Sequence, residues 1–218
     1  MFMGNDPGNS GKIFLRNKMR KAAERQNMRP ESLLRALATS GRLKENTRHC
    51  WISADRKESV ADHSWRLALM AMLLENEPEF SDIDMSKIIR MCLIHDLGEA
   101  FTGDIPAFEK TEQEEAREDE LYQEWVNSFP ENGREEWMQL LGEYKEQKTK
   151  EATITKALDK LEAVISHNES DIHTWLPLEY DLQKTYGKEN MDASPYFLEL
   201  RQLVDEWTDK KIEVDRGC

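Results

Sequence analysis

Apolar residues recur every three or four positions along most of this chain, which is the spacing of one face of an α-helix. Strand-like alternation is essentially absent, and no internal repeat is visible. The pattern predicts helices near residues 12–27, 30–40, from 59, from 84 or 86 to 103, 109–128, 134–147, 149–167, 171–186 and 195–210. We therefore expect an all-α fold, a compact bundle of seven to nine helices.

The helix that begins after Ser59 carries a histidine on its apolar side. Ser59 and Asp62 have the spacing of a capping box, which marks the first turn of a helix. His63 precedes Leu67 by four residues and Leu74 by eleven, so it lies in register with the apolar stripe. The sequence therefore predicts a buried imidazole at this position.

Two adjacent ionisable residues follow the apolar run of residues 88–94. His95 and Asp96 come at its inner end, where such groups must be paired, hydrogen-bonded or metal-bound. Glu99 comes four residues after His95, which predicts that both project from one helix face. Asp104 follows a glycine that permits a sharp exit from the helix. This stretch is the best candidate for a functional site.

A third helix supplies Asp159, at the edge of an apolar stripe that includes Leu158 and Leu161. Each of these ionisable residues alone is weak evidence, since a lone histidine is more often structural and Asp159 could belong to a solvated face. Two imidazoles and two carboxylates on separate helices can together hold one divalent cation with an open coordination position. Such a donor set suits Mn, Co, Fe or Zn.

Composition narrows the classes of protein. The chain has 218 residues and a net charge of −13, which opposes a role in coating nucleic acid. The longest apolar run has eight residues, so we expect neither a membrane partner nor a transmembrane helix. The chain start is not of the basic-then-apolar type, and the three cysteines form no CxxC pair. We expect a cytoplasmic protein without a disulfide framework.

Length allows one domain with small appendages. Three glycines, two asparagines, a proline and a serine occupy residues 1–11, and seven basic side chains occupy residues 12–29. The expected division is a flexible, basic extension at 1–29, a core at 30–190, and a C-terminal helix and tail at 191–218 that packs on the core.

Four local motifs carry a family resemblance. Residues 43–51 (LKENTRHCW) are similar to a pattern LKxxxRxGW, and residues 58–64 read ESVADHS. The stretch 95–106 contains HDLGE followed by GDIP, and residues 158–162 read LDKLE. Together they resemble the HD-domain metal-dependent phosphohydrolases, in the 5′-deoxynucleotidase branch with the HD domain-containing protein 2-like family. The resemblance covers about residues 32–170, with a cysteine at position 50 where the pattern has glycine.

The resemblance implies an all-α HD domain that commonly forms a homodimer. It implies one divalent metal ion (Co, Mn, Zn, Mg or Fe). Its ligands would be His63, His95, Asp96 and Asp159. Glu99 would position or deprotonate the attacking water. The implied reaction is release of phosphate from (deoxy)nucleoside 5′-monophosphates.

The resemblance also implies a substrate site. Asp104 would contact the substrate and assist catalysis, and Arg48 would bind the phosphate. Trp51 would press on the sugar and disfavour a 2′-hydroxyl. The loop that lines the nucleotide site would consist of Asp104, Ile105, Pro106 and Ala107. Three further histidines, His49, His167 and His173, are interpreted as surface or structural residues.

Two alternatives to a monophosphatase stay open at this stage. One is another HD phosphohydrolase, acting on an alarmone, a cyclic nucleotide or a nucleoside triphosphate. An alarmone hydrolase is expected to have a Glu-Asp pair after the HD motif, and a triphosphatase to have more basic side chains than residues 100–125 provide. The other alternative is a non-catalytic, metal-stabilised regulatory module, which would be favoured by a missing ligand or a missing Glu99.

Overall fold

A computed structural model describes residues 27–106 and 109–217. The predicted helix at 12–27 and nearly all of the predicted extension therefore lie outside the described residues. The described part is helical apart from one small hairpin, in agreement with the predicted all-α class. Its helices are α1 (Pro30–Ser40), α2 (Val60–Leu74), α3 (Met85–Ile94), α4 (Glu99–Thr102), α5 (Glu112–Asn127), α6 (Glu131–Glu146), α7 (Lys150–Glu169), α8 (Glu179–Thr185) and α9 (Pro195–Asp215).

Local chemistry explains where these helices begin. The Ser59 side chain accepts a hydrogen bond from the Asp62 amide, and the Asp62 carboxylate accepts from the Ser59 amide, as the capping box predicts. At the start of α3 the Asp84 side chain accepts from the Lys87 amide, and at the start of α7 the Thr149 side chain accepts from the Ala152 amide. Helix α1 begins at Pro30, whose missing N–H costs nothing at that position.

The expectation that strands are absent was wrong for residues 47–59. Strand β1 (Thr47–Trp51) pairs antiparallel with strand β2 (Lys57–Ser59). The sequence pattern did not predict these strands because they have only five and three residues, too few for a period of two to be recognised. The hairpin brings β1 alongside α7.

The segment from His95 to Glu99 also departs from the prediction. Helix α3 ends at Ile94, and Glu99 opens the separate short helix α4. Between them the backbone tightens into i→i+3 hydrogen bonds, such as the Glu99 amide to the Asp96 carbonyl at 3.0 Å. Glu99 therefore does not lie one regular α-turn beyond His95, although both side chains are buried.

Two apolar clusters form the core. One lies among α2, α3, α7 and α9 and includes Leu67, Ile88, Leu158 and Phe197. The other lies among α3, α5 and α6. Because α2, α3 and α7 pack on one another, the residues at their facing surfaces are fixed in space, and these include His63 and Asp159. None of the described helices has both the length and the apolar character needed to cross a membrane.

A candidate metal centre and catalytic cavity

His63 of α2 and His95 at the end of α3 face each other inside the protein. Their ring centroids are 5.4 Å apart. Nε2 of His63 lies 3.3 Å from Oδ1 of Asp159, and Nε2 of His95 lies 3.0 Å from Oδ2 of Asp96. The two remaining cross-distances are 3.7 Å and 3.8 Å. The four residues that sequence analysis selected from three parts of the chain thus converge on one point.

The hydrogen bond that Nδ1 of each histidine forms determines the tautomer of the ring. Nδ1 of His95 lies 2.9 Å from the carbonyl of Cys92, to which it can only donate. Nδ1 of His63 is hydrogen-bonded to the buried carboxylate of Glu162. With Nδ1 protonated in this way, Nε2 of each ring would be the atom that binds a cation at the point of convergence, which is the arrangement of metal-binding histidines.

The pKa values of the ionisable groups around this point are strongly shifted. Burial acts to raise the pKa of Asp96, but His95 and His63 hold that pKa well below its ordinary value. The pKa of Asp159 is likewise held low, against burial, by Lys160 and the two histidines. For His95 burial acts to lower the pKa, yet Asp96 and Asp159 raise it to about 10. Two carboxylates therefore stay ionised and favour positive charge at this point, which either protons on the two rings or a bound cation can supply.

This donor set fits a divalent cation. One ligand atom from each of His63, His95 and Asp96 lies within 4.8 Å of the others, and Asp159 approaches from α7. Both Nε2 atoms are buried without a hydrogen-bond partner among the described residues. Buried polar atoms without partners are unfavourable, and a cation bound there would satisfy them.

The centre opens into a cavity of about 400 Å³. Asp96, Asp159, Glu99 and Asp104 lie on its wall, so the predicted catalytic carboxylates share one space with two of the metal-ligand candidates. Ile105 and Pro106 also line this cavity, whereas Ala107 lies outside the described residues. The roles that the resemblance assigns to these six residues stay predictions.

Glu99 is a buried carboxyl with one oxygen lacking a partner among the described groups. Burial, together with the carboxylates of Asp96 and Asp104, raises its pKa to about 10. Burial also raises the pKa of Asp104, against the opposing effect of Arg48. Such a raised pKa is typical of carboxyls that exchange protons in catalysis, and a divalent cation at the neighbouring centre would lower this pKa toward the range that a base requires.

Arg48 extends from β1 into the same cavity and is held by carboxylates. Its Nε lies 3.3 Å from Oε2 of Glu58, and its Nη1 lies 3.9 Å from Oδ2 of Asp96. Ser166 of α7 donates a 2.6 Å hydrogen bond to the other oxygen of Glu58. Glu58 is therefore fixed from two sides and holds the guanidinium beside the candidate metal centre.

Trp51 is placed differently from the other predicted substrate residues. Its indole is not among the described residues that line the cavity. The ammonium of Lys57 lies 5.5 Å from the centroid of the ring. Its expected contact with a sugar stays a prediction, and in the structure the ring contacts Lys57 on the hairpin.

The sequence reasoning missed four residues that hold the site together. Glu58 and Glu162 occur in the motifs ESVADHS and LDKLE, but no role was assigned to them. Lys156 and Lys160 contact Oδ2 of Asp159 at 3.2 Å and 3.4 Å, which leaves Oδ1 for the histidines. The i,i+3 spacing of Lys156 and Asp159 could have predicted one of these contacts, whereas Lys160 directly follows Asp159, a spacing that predicts none.

Comparison with known proteins supports the same interpretation. A family model described as HD domain matches residues 40–201, about three quarters of the chain. The chain belongs to the HD domain family. Among its relatives, the 5′-deoxynucleotidase HDDC2 of Homo sapiens is 34% identical over 142 residues, which are 63% of this chain and 68% of that protein. The Dictyostelium discoideum protein of the same name is 35% identical over 133 residues, 57% of this chain and 70% of the relative.

Solved structures of other proteins share the fold of this chain. A predicted metal-dependent phosphohydrolase from Magnetospirillum magnetotacticum matches 83% of this chain and 94% of its own, with a TM-score of 0.69 and 24% identity. A conserved hypothetical protein from Pyrococcus furiosus matches 80% of this chain and 98% of its own, with a TM-score of 0.56 and 27% identity. The resemblance drawn from the four motifs is thereby confirmed at the level of family and fold.

Proposed function

We propose that this HD domain protein is a metal-dependent phosphomonoester hydrolase that releases phosphate from (deoxy)nucleoside 5′-monophosphates. The observation that carries the proposal is the convergence of His63, His95, Asp96 and Asp159 on one point, beside a cavity that also holds Glu99 and Arg48. The names of the relatives, which describe 5′-deoxynucleotidases, support the substrate class.

The two histidines and two aspartates would hold one divalent cation. Such a cation would lower the pKa of a bound water and neutralise phosphate charge. Glu99 would position that water and accept its proton. Glu58 orients Arg48 so that its planar guanidinium can bind two phosphate oxygens. Asp104 would contact the substrate beside Arg48, and Ile105, Pro106 and Ala107 would form the adjoining wall.

Among the two alternatives, the regulatory module is the weaker one. All four ligand candidates and Glu99 are present, and each is buried or lines the cavity. A larger phosphate chain would also find Lys156 and Lys160 in the cavity, but both contact Asp159. A monophosphate needs only Arg48 and the cation, so the monophosphate fits the charges better.

Phosphate release from a panel of nucleotides tests the proposal. The panel contains the four deoxynucleoside 5′-monophosphates, their ribose counterparts, a cyclic nucleotide, a guanosine tetraphosphate and a nucleoside triphosphate. We expect release from the monophosphates, abolition by EDTA and recovery with Co, Mn, Mg, Zn or Fe. Release confined to another class of nucleotide would support the alternative hydrolase, and binding without release would support the regulatory module.

The assembly and location of the protein extend this proposal. We propose a cytoplasmic homodimer, since the resemblance implies that state and α1 exposes Leu33, Leu34 and Leu37 to solvent. A contiguous exposed apolar face is typical of contacts between proteins. Light scattering after size-exclusion chromatography should give twice the chain mass, and the mass of one chain would contradict the dimer.

A further inference from the structure

The cavity continues beyond the candidate metal centre to a second cluster of polar side chains. His49 of β1, His167 of α7 and Glu179 of α8 line this far end. Nε2 of His49 lies 3.2 Å from Oε1 of Glu179, and Nε2 of His167 lies 3.6 Å from Oε2. None of the three belongs to the proposed catalytic group. His49, interpreted from the sequence as a surface residue, is in fact half-buried.

Tertiary contacts hold this cluster in place. The ring of His167 stacks on Trp175 with centroids 4.5 Å apart, and the Trp175 indole donates to Ser170 and to the His167 carbonyl. Glu179 accepts a 2.6 Å hydrogen bond from the Leu176 amide. The cluster is therefore rigid before any ligand arrives, which reduces the entropy that binding would cost.

His167 has hydrogen-bonding capacity that the fold does not use. Its Nε2 is buried and has no hydrogen-bond partner among the described residues. Burial lowers the pKa of His167 to about 4, helped by the charges of His49 and Lys211, so the ring is neutral at pH 7. A neutral imidazole has one donor and one acceptor nitrogen, which is suited to the edge of an uncharged heterocycle.

The distance between the two ends of the cavity suits a nucleotide. Asp159, Ala163 and His167 follow one another at four-residue intervals on α7 and all line the cavity. At 1.5 Å per residue, Asp159 and His167 lie roughly 12 Å apart along the helix. A nucleoside monophosphate with its phosphate beside Asp159 would therefore be long enough to bring its base to His167.

We propose that the cluster of His49, His167 and Glu179 binds the nucleobase of the substrate and favours bases with an exocyclic amine. The inference rests on the proposed hydrolysis of nucleotides and adds the part of the site that recognises the base. A carboxylate accepts hydrogen bonds and does not donate them. Glu179 would therefore accept hydrogen bonds from the exocyclic amines of adenine, guanine and cytosine. Thymine has no exocyclic amine and offers Glu179 only the single N3–H donor. His167 supplies the second polar contact to the base edge.

The decisive experiment compares a nucleotide with its base-free analogue. We would measure kcat/KM for dAMP, dGMP, dCMP, dTMP and 2-deoxyribose 5-phosphate with the metal-loaded wild-type protein, Glu179→Gln and His167→Phe. Glu179→Gln keeps an acceptor for the Leu176 amide, and His167→Phe keeps the stacking on Trp175. His173→Phe is the matched control, because His173 is exposed and outside the cavity.

Both variants should lose about tenfold in kcat/KM for dAMP, the factor expected for one lost hydrogen bond. Their kcat/KM for 2-deoxyribose 5-phosphate should equal that of the wild type, and His173→Phe should change neither. Glu179→Gln should lower kcat/KM for dTMP less than it lowers kcat/KM for dAMP. An equal loss for the base-free analogue, or no loss for dAMP, would overturn the proposal.

Binding separates this inference from the proposed function. If the wild type released phosphate from no nucleotide, the proposed hydrolysis would be refuted. Calorimetry with the metal-loaded protein would still measure whether the cluster of His49, His167 and Glu179 contributes to binding of the base. Tighter binding of dAMP than of 2-deoxyribose 5-phosphate, lost in Glu179→Gln, would support base recognition. Equal affinities for the two ligands would refute it.

Discussion

His63 and Glu162 form a buried hydrogen bond between α2 and α7, and neither side chain is exposed to solvent. The bond fixes the imidazole with Nε2 directed at Asp96 and Asp159. Arg66 lies 3.7 Å from the other oxygen of Glu162 and itself pairs with Glu169 at the surface. A chain of three charges thus connects the candidate metal centre to the exterior of the bundle.

Replacing Glu162 by Gln should weaken metal binding about 10- to 100-fold, the usual cost of losing the carboxylate behind a ligating histidine. The amide can preserve the shape of the contact but not its charge. Competition with a fluorescent zinc chelator would measure the affinity. Glu169→Gln is the control, because Glu169 contacts Arg66 but not His63. Equal affinities for the two variants would show that Glu162 does not support the ligand.

Replacing Glu99 by Gln should lower kcat by about 10²- to 10⁴-fold, the range typical of general base catalysis. Metal content and nucleotide affinity should stay near those of the wild type, because Glu99 is not one of the ligand candidates. Single-turnover phosphate release and metal analysis of the same sample would separate the two effects. A variant with near-normal turnover would exclude Glu99 from the chemistry.

Trp51→Ala decides between two positions for the indole. If the ring contacts the sugar, the ratio of kcat/KM for dAMP to that for AMP should fall in the variant. If the ring only covers Lys57 on the hairpin, the ratio should stay constant and the protein should lose stability instead. Parallel kinetics and thermal unfolding would therefore assign this residue.

His167 should make the metal-free protein sensitive to acid. Its ordinary pKa of 6.5 applies to the unfolded chain, whereas burial lowers the pKa in the fold to about 4. Between these values the unfolded chain binds more protons, so the free energy of unfolding falls as the pH drops. This effect amounts to at most about 3 kcal/mol at pH 4.

The variant His167→Phe should lose less stability than the wild type between pH 6.5 and pH 4. Urea unfolding at several pH values would give the two slopes, with His173→Phe as the exposed control. Parallel pH dependences for the wild type and His167→Phe would contradict a buried, neutral His167.

The burial of His63 could be predicted from the sequence because it depends on local periodicity. His63 lies in register with Leu67, and the helix that carries it begins at a capping box that the structure reproduces. The position of Glu99 could not be predicted, since the tightened turns after Ile94 interrupt the helical spacing. Regular periodicity describes helices only where the hydrogen bonds stay regular.

Contacts between residues far apart in the chain could not be predicted from the sequence. Glu58 and Ser166 are 108 positions apart, and His63 and Glu162 are 99 apart. No spacing rule connects such pairs, because they meet only when α7 packs against the hairpin and α2. The cluster of His49, His167 and Glu179 arises in the same way, from β1, α7 and α8.

The requirement for a catalytic metal can be tested by measuring phosphate release from dAMP with the purified protein before and after metal removal. The chelated protein should release none, and activity should return when a divalent cation is added. Asp159→Ala, which removes one ligand candidate, should fail to recover under the same conditions. Release that persists in EDTA, or full recovery and full metal content in Asp159→Ala, would contradict a catalytic metal centre at this site.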